Sequence, residues 1–270
     1  MSDRGYVWFA LNNSTTDYVE LSKKLASSIK KHNKHNQVCV ITDKPVEHKE
    51  EIDKVIVLKN DYSKDQEWKM NNEWQIFNLT PFKHTIKLEA DMLFTSNTDW
   101  WWNYLHQHNM VFSYHVRCYR DTIITNTPYR KLFKTNNLPD VYNGLTYFRK
   151  SKQAQSFYNI CKDIMLNWNT VRDTFLINCH DKHPTTDVVY ALALKIQDPL
   201  CEKQIKYEWF NFMHNKSGVN GLSRAYINDQ YLYTMMVGHP LVGEYIYSGG
   251  YKQSRIFHYH NKKLIKEFYD

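Results

Sequence analysis

Two carboxylates interrupt what otherwise reads as an apolar strand: Glu89 and Asp91, in the stretch HTIKLEADMLF at 84–94. Alternation along a strand turns positions i and i+2 to one face. The pair therefore predicts two like charges side by side, which is costly unless something of opposite charge lies between them. Carboxylate oxygens suit Mg²⁺ and Mn²⁺, and nucleotide phosphates can complete an octahedral shell. The spacing of Glu89 and Asp91 suits a divalent cation, with a pair of solvated acids at a strand end as the alternative.

Such a site must be carried by a scaffold. GYVWFAL (5–11) predicts a buried strand. Leu21, Leu25 and Ile29, with Tyr18 one turn before, share one face of a helix opened by Thr16 or Asp17. QVCVITD (37–43) and KVIVL (54–58) predict two more strands. This β-α-β-β alternation predicts an α/β fold with parallel strands, whose ligands bind at the strands' carboxyl ends.

Beyond these, residues 61–80 predict a helix ending before Pro81, 84–94 a strand, 99–108 a short helix and 110–116 a strand. The polar stretch 117–140 predicts an excursion or lid. NGLTYFRK (143–150) resumes the sheet. Phe157, Ile160, Cys161, Ile164, Met165 and Trp168 keep helical spacing after a Ser151 cap. TTDVVYALALKI (185–196) predicts a helix capped by Thr185 or Thr186. The chain after 200 is aromatic and irregular, closing on SRIFHYHNKK (254–263). No repeat or linker breaks the chain, so one domain over 1–270 is expected.

Composition narrows the function classes. Net charge is +7, from 35 Lys and Arg against 28 Asp and Glu, which favours polyanionic partners. Aromatic residues make up 15%, with 20 Tyr and 8 Trp, serving either packing or stacking on flat ligands. Five cysteines without C-x-x-C spacing argue against a disulfide framework or zinc cluster. No apolar run approaches the ~20 residues of a membrane span, and the first residues lack a signal-peptide pattern. A cytoplasmic protein is expected, in the host cytoplasm if the source is viral.

HTIKLEADMLF resembles the Asp-x-Asp strand of nucleotide-sugar glycosyltransferases with the GT-A fold, nearest in style to glycosyltransferase family 8. Other pieces resemble that family in order. GYVWFALNN resembles its first strand and nucleotide-contacting loop, and CVITD the end of its second strand. DVYNGLTYFRKS is similar to its Asn-(Ala/Ser)-Gly turn into a strand. PTTDVVYALAL resembles a later Asp at a helix start, and IFHYHNKK a late strand offering a metal-binding His. The resemblance spans most of 5–262. The chain departs from the pattern in having Glu89 for the usual first Asp, an adjacent Asn143-Gly144, and no His-x-x-Gly-x-x-Lys-Pro-Trp ending.

The resemblance implies a Rossmann-like GT-A domain with a mixed, mostly parallel sheet. It also implies Mn²⁺ or Mg²⁺ and a nucleotide-sugar donor, a UDP-sugar first. Asp91 would ligate the metal, with Glu89 reaching the metal or the ribose. His258 or His260 would supply the third ligand, His258 preferred. Ala10, Leu11, Asn12, Tyr18 and Asp43 would border base and ribose. Lys69, Lys262 and Lys263 would reach the diphosphate. Asn143, Gly144 and Asp187 would form the sugar and acceptor side, Asp187 acting as base if the enzyme inverts.

Two rivals are a phosphatase of the haloacid dehalogenase type and a non-catalytic carbohydrate- or nucleic-acid-binding module. The acceptor expectation follows charge: duplex DNA with hydroxymethylated bases, as in tailed phages, whose gene products such compact Lys/Asn/Tyr-rich chains resemble. CYRDTIITNTPYRKLFKTNN (118–137) would lie on the DNA or serve as a lid over the donor. A cell-envelope glycan is the alternative acceptor.

Overall fold

A computed structural model describes residues 2–46, 50–125, 130–200, 203–215, 234–239, 243–248, 250–259 and 262. In chain order its main elements are β1 (Ser2–Ala10), α1 (Tyr18–His32), β2 (Gln37–Thr42), β3 (Lys54–Val57), α2 (Ile76–Leu79), β4 (Phe82–Lys87), β5 (Met92–Leu93), α3 (Trp102–Leu105) and β6 (Met110–Ser113). There follow α4 (Lys131–Thr135), β7 (Tyr142–Arg149), α5 (Lys152–Leu166), α6 (Trp168–Phe175), α7 (Thr186–Gln197), β8 (Phe212–Asn215), β9 (Thr234–His239), β10 (Gly243–Ser248), β11 (Tyr251–Lys252) and β12 (Ile256–Tyr259).

Six strands form the central sheet in the order β3-β2-β1-β4-β7-β6. The pairs β3·β2, β2·β1 and β1·β4 are parallel, while β7 runs antiparallel to both β4 and β6. Only β7 therefore opposes the rest, and the sheet is mixed but mostly parallel.

Strand β1 is apolar on both faces, as a strand covered twice must be. Tyr6, Trp8 and Ala10 join a core with Leu25, Ala26 and Ile29 of α1 and with Trp102 of α3. Val7 and Leu11 join the opposite core, which gathers Phe157, Cys161 and Ile164 of α5 with Val189 and Ala193 of α7. Gly5 is forced by crowding: a Cβ there would lie 2.5 Å from the Phe82 ring and 2.8 Å from the Gln37 carbonyl oxygen.

The helix caps follow sequence logic. Asp17 opens α1 by accepting from the Glu20 amide, and Ser151 opens α5 by accepting from Ala154. Thr185 precedes α7 without a side-chain cap bond.

Three expectations are corrected. The stretch 84–94 is not one strand: β4 ends at Lys87, and β5 begins at Met92 in a separate three-stranded sheet, β5-β12-β8. Glu89 and Asp91 thus lie on the link between two sheets, and their convergence comes from a turn rather than from strand alternation. Residues 61–80 are not one helix. Polar, Asp- and Ser-containing 61–68 forms turns, and a 3-10 segment, Lys69–Gln75, leads into α2. Trp168 belongs to α6, because α5 stops at Leu166 with Asn167 between the two helices.

The excursion at 117–125 is tied down rather than detached. Arg117 exchanges backbone hydrogen bonds with Phe212 and His214, and the Gln253 side chain donates to the Tyr119 carbonyl. Residues 126–129 lie outside the described residues, as do His260 and Lys263. No helix among the described residues is long and apolar enough to cross a membrane.

Candidate metal and nucleotide site

The site forms where the carboxyl end of β4 meets the small sheet. The ladder to β1 continues one residue past β4, from the Leu88 amide to the Val7 carbonyl. The chain then turns through Glu89, Ala90 and Asp91 into β5. Strand β12 pairs antiparallel with β5, His258 opposite Met92, and the Tyr259 amide donates to the Asp91 carbonyl at 3.1 Å. Backbone pairing therefore delivers His258 to the two acids.

His258 Nε2 lies 3.3 Å from Glu89 Oε2 and 3.3 Å from Asp91 Oδ1. One ligand atom from each of the three residues falls within 4.8 Å of the other two. Ligands about 2.1 Å from a shared octahedral ion sit roughly 3 Å apart at right angles and roughly 4.2 Å apart when opposed. The triad's spacing could hold a divalent cation, with two carboxylate oxygens and one imidazole nitrogen as ligands.

Lys262 Nζ stands 3.0 Å from Asp91 Oδ2 and 5.3 Å from the centre of the Tyr18 ring. Burial opposes the charge on Asp91, but the charges and hydrogen bonds of His258 and Lys262 outweigh it and hold the carboxyl well below its usual range. Burial disfavours the Lys262 ammonium too, yet Asp91 and Tyr18 raise it above the ordinary lysine value. Burial lifts the Tyr18 phenol, with Lys262 pulling the other way.

Strand β7 supplies the facing wall. Asn143 Nδ2 donates to Glu89 Oε1 at 3.2 Å. At Gly144 a Cβ would sit 3.1 Å from Met92 Cε, 3.3 Å from Glu89 Oε2 and 3.3 Å from the Phe212 ring. Only a bare backbone lets β7 approach the acid so closely. Beneath, Lys87 Nζ, wholly buried, pairs with Glu73 Oε2 at 2.9 Å and donates to the Asn143 carbonyl at 3.1 Å.

Asp187, in the first turn of α7, accepts from the Asn143 amide at 2.7 Å and from Arg130 at 3.0 Å. Arg130 also binds Asp140 and the Val141 carbonyl, with its guanidinium 3.8 Å from both the Phe133 and Tyr142 ring centres.

These groups open onto a cleft of ≈ 380 Å³. Leu11, Tyr18, Lys69, Glu89, Asp91, Asn143, Gly144, Asp187, His258 and Lys262 all line it. Three other residues named from sequence do not. Ala10 is buried in the core beside α1. Asn12 spends its side chain on Asp17 and the Val19 amide, bracing the start of α1, and Asn13 faces the cleft in its place. Asp43 is exposed in the turn after β2. Lys69 reaches the cleft, but its ammonium donates to the Ser63 and Lys64 carbonyls.

Sequence reasoning missed Lys87, Glu73, Arg130, His214 and Trp68. Lys87 carried a signal, a charge inside the apolar run of β4. His214 carried a fainter one, its place two residues after Phe212 and four after Phe210 in FNFMHN. Trp68 stacks on His183 at 6.0 Å on the cleft wall.

No protein-family model matches the chain, and no curated protein matches it. Among solved structures it is similar to the glycosyltransferase GlyE of Streptococcus pneumoniae TIGR4, at 11% identity and a TM-score of 0.45. The similarity covers 77% of this chain and 46% of that protein, so the chain spans less than half of its length.

Proposed function

We propose that the protein is a metal-dependent glycosyltransferase of the GT-A kind, moving a sugar from a nucleoside diphosphate donor to an acceptor hydroxyl. One observation carries this reading: Glu89, Asp91 and His258 converge within 4.8 Å at the carboxyl end of β4, a strand parallel to β1, on the wall of a cleft. Open α/β sheets bind ligands at that edge.

A divalent cation held there would supply Lewis-acid stabilisation to a departing diphosphate. The chain's own residues do the rest. Asp91 and His258 would hold the cation, with Glu89, hydrogen-bonded by Asn143, as a third ligand. Lys262 adds a positive charge where phosphate oxygens gather. Leu11 and Tyr18 border the base, a uracil first. Asp187 spends its oxygens on Arg130 and on the Asn143 amide, so its part is to hold the β7 wall against the sugar. Phe212 and Tyr142 keep water from that side of the cleft.

The acceptor reading rests on the net charge of +7, which suits a polyanion. Duplex DNA with hydroxymethylated bases is the first acceptor to try, and a cell-envelope glycan the second.

A thermal-shift screen of nucleotide sugars with Mn²⁺, Mg²⁺ or EDTA tests the donor side. A ligand at ~100 times its dissociation constant adds about 2.7 kcal/mol. The expected result is a cation-dependent rise of several degrees with one nucleotide sugar, absent with EDTA. A flat response to every nucleotide would refute the reading.

A further inference from the structure

Strands β8 and β12 run parallel with His214 directly opposite His258, so the two imidazoles emerge on one face of the small sheet. Their Nδ1 atoms lie 2.8 Å apart, and their ring centres 4.8 Å apart. His214 is buried, with the Tyr142 and Phe212 rings 6.0 and 5.6 Å away, and its amide is tied to the Arg117 carbonyl. At 2.8 Å a single proton lies between the two Nδ1 atoms, because two N–H groups would repel and two lone pairs would gain nothing.

That shared proton sets what His258 offers at its far nitrogen. If His214 donates, a neutral His258 carries its own hydrogen on Nε2 and can only donate to Glu89 and Asp91. If His258 donates through Nδ1, its Nε2 presents a lone pair to a cation held by those acids. A ligating imidazole commonly has its tautomer fixed by what its second nitrogen bonds.

We propose that His214 is a positioning residue that accepts the Nδ1 hydrogen of His258 and so turns the His258 Nε2 lone pair toward the cation. The inference rests on the metal reading above. His214 works through its Nδ1 lone pair, so an acceptor at the same position should replace it. In asparagine, Oδ1 occupies the place of that nitrogen.

The test is Mn²⁺ titration of the full chain, followed by electron paramagnetic resonance of the free ion, with thermal midpoints as a fold check. His214→Phe, which keeps a ring without an acceptor, should bind Mn²⁺ about 10–100-fold more weakly. His214→Asn should stay close to wild type. Wild-type affinity in His214→Phe overturns the proposal, and so does equal weakening in both variants, which would make ring packing the cause. A wild-type protein that takes up no Mn²⁺ sinks the metal reading itself, a different outcome. Should His214→Phe fail to fold, nitrogen NMR of the wild type with diamagnetic Zn²⁺ reads the same point. A protonated His258 Nδ1 supports the proposal, and an unprotonated one overturns it.

Discussion

Lys87→Met separates the buried scaffold beneath the site from the site itself. Methionine keeps most of the stem and removes the ammonium that binds Glu73 at 2.9 Å and the Asn143 carbonyl at 3.1 Å. The Glu73 side chain is only 4% exposed, so its carboxyl will neutralise rather than remain charged and alone. For a group with an unfolded pKa near 4.3, taking up a proton at pH 7 costs about 2.7 × 1.36, or roughly 3.7 kcal/mol. Burial already raises Glu73 above its ordinary range despite Lys87, so the true cost falls somewhat below that ceiling. The lost hydrogen bond to Asn143 adds about 1 kcal/mol. A destabilisation of about 3–4 kcal/mol follows, within the range for breaking a buried pair. For a chain of this size it lowers the melting midpoint by roughly 10 °C.

The pH dependence has a definite sign. A carboxyl whose folded pKa is raised binds its proton more readily when folded, so its penalty shrinks as pH falls toward the unfolded value. The deficit of Lys87→Met should shrink by about 1.4 kcal/mol per pH unit below 7. By pH 5 only about 1 kcal/mol of the carboxyl's share remains. Urea denaturation of wild type, Lys87→Met and the double variant Lys87→Met/Glu73→Met at pH 7 and pH 5 measures this. The double variant should recover most of the loss, since an apolar pair of similar volume often matches a buried ion pair. A loss in Lys87→Met under about 1 kcal/mol at pH 7, or one equal at both pH values, would refute a buried charge pair.

Other substitutions probe the site more directly. Asp91→Asn should abolish cation-dependent stabilisation by nucleotide while the protein still folds; retained stabilisation in the thermal screen removes Asp91 from the metal site. Gly144→Ala puts a methyl group 3.3 Å from both Glu89 and Phe212. It should cost about 1 kcal/mol in stability but several-fold in Mn²⁺ affinity, and an unchanged titration would show that β7 can give way. Arg130→Met leaves the largely buried Asp187 without its cation and should destabilise the fold by about 3 kcal/mol. In the same variant transfer should fall further than donor affinity, because Asn143 loses its anchor; equal losses in both would argue against that role.

The scaffold was legible where burial imposes a simple pattern. Strands β1 and β2 carry the apolar runs 6–10 and 38–41 because both faces are covered there, and α5 shows its buried face at Phe157, Cys161 and Ile164. Legibility failed where the chain changes sheets. LEADML keeps an apolar content compatible with one strand, and nothing in it marks the turn between β4 and β5. Polar residues 61–68 failed for another reason: their side chains satisfy local backbone, as Asp61 does for the Ser63 amide. Such bonds favour turns over helix in a way periodicity does not register.

At the site, the residues that face the cleft were easier to read than those that hold them. Glu89, Asp91 and His258 stand out because charge in an apolar context demands a partner. Lys87, Arg130 and His214 reach the site through contacts distant in sequence, Lys87 with the Asn143 carbonyl, Arg130 with Asp187 and His214 with His258, and single-chain spacing carries no record of such pairs. The partners also explain how two acids sit together before any cation arrives. His258 and Lys262 face Asp91 at 3.3 and 3.0 Å and offset its charge. On the proposed metal reading, a cation held by Glu89, Asp91 and His258 would share the neutralisation of Asp91 that Lys262 now provides at 3.0 Å, leaving that ammonium able to meet a phosphate oxygen. On that reading, cation and nucleotide should stabilise the protein more together than apart in a thermal-shift titration.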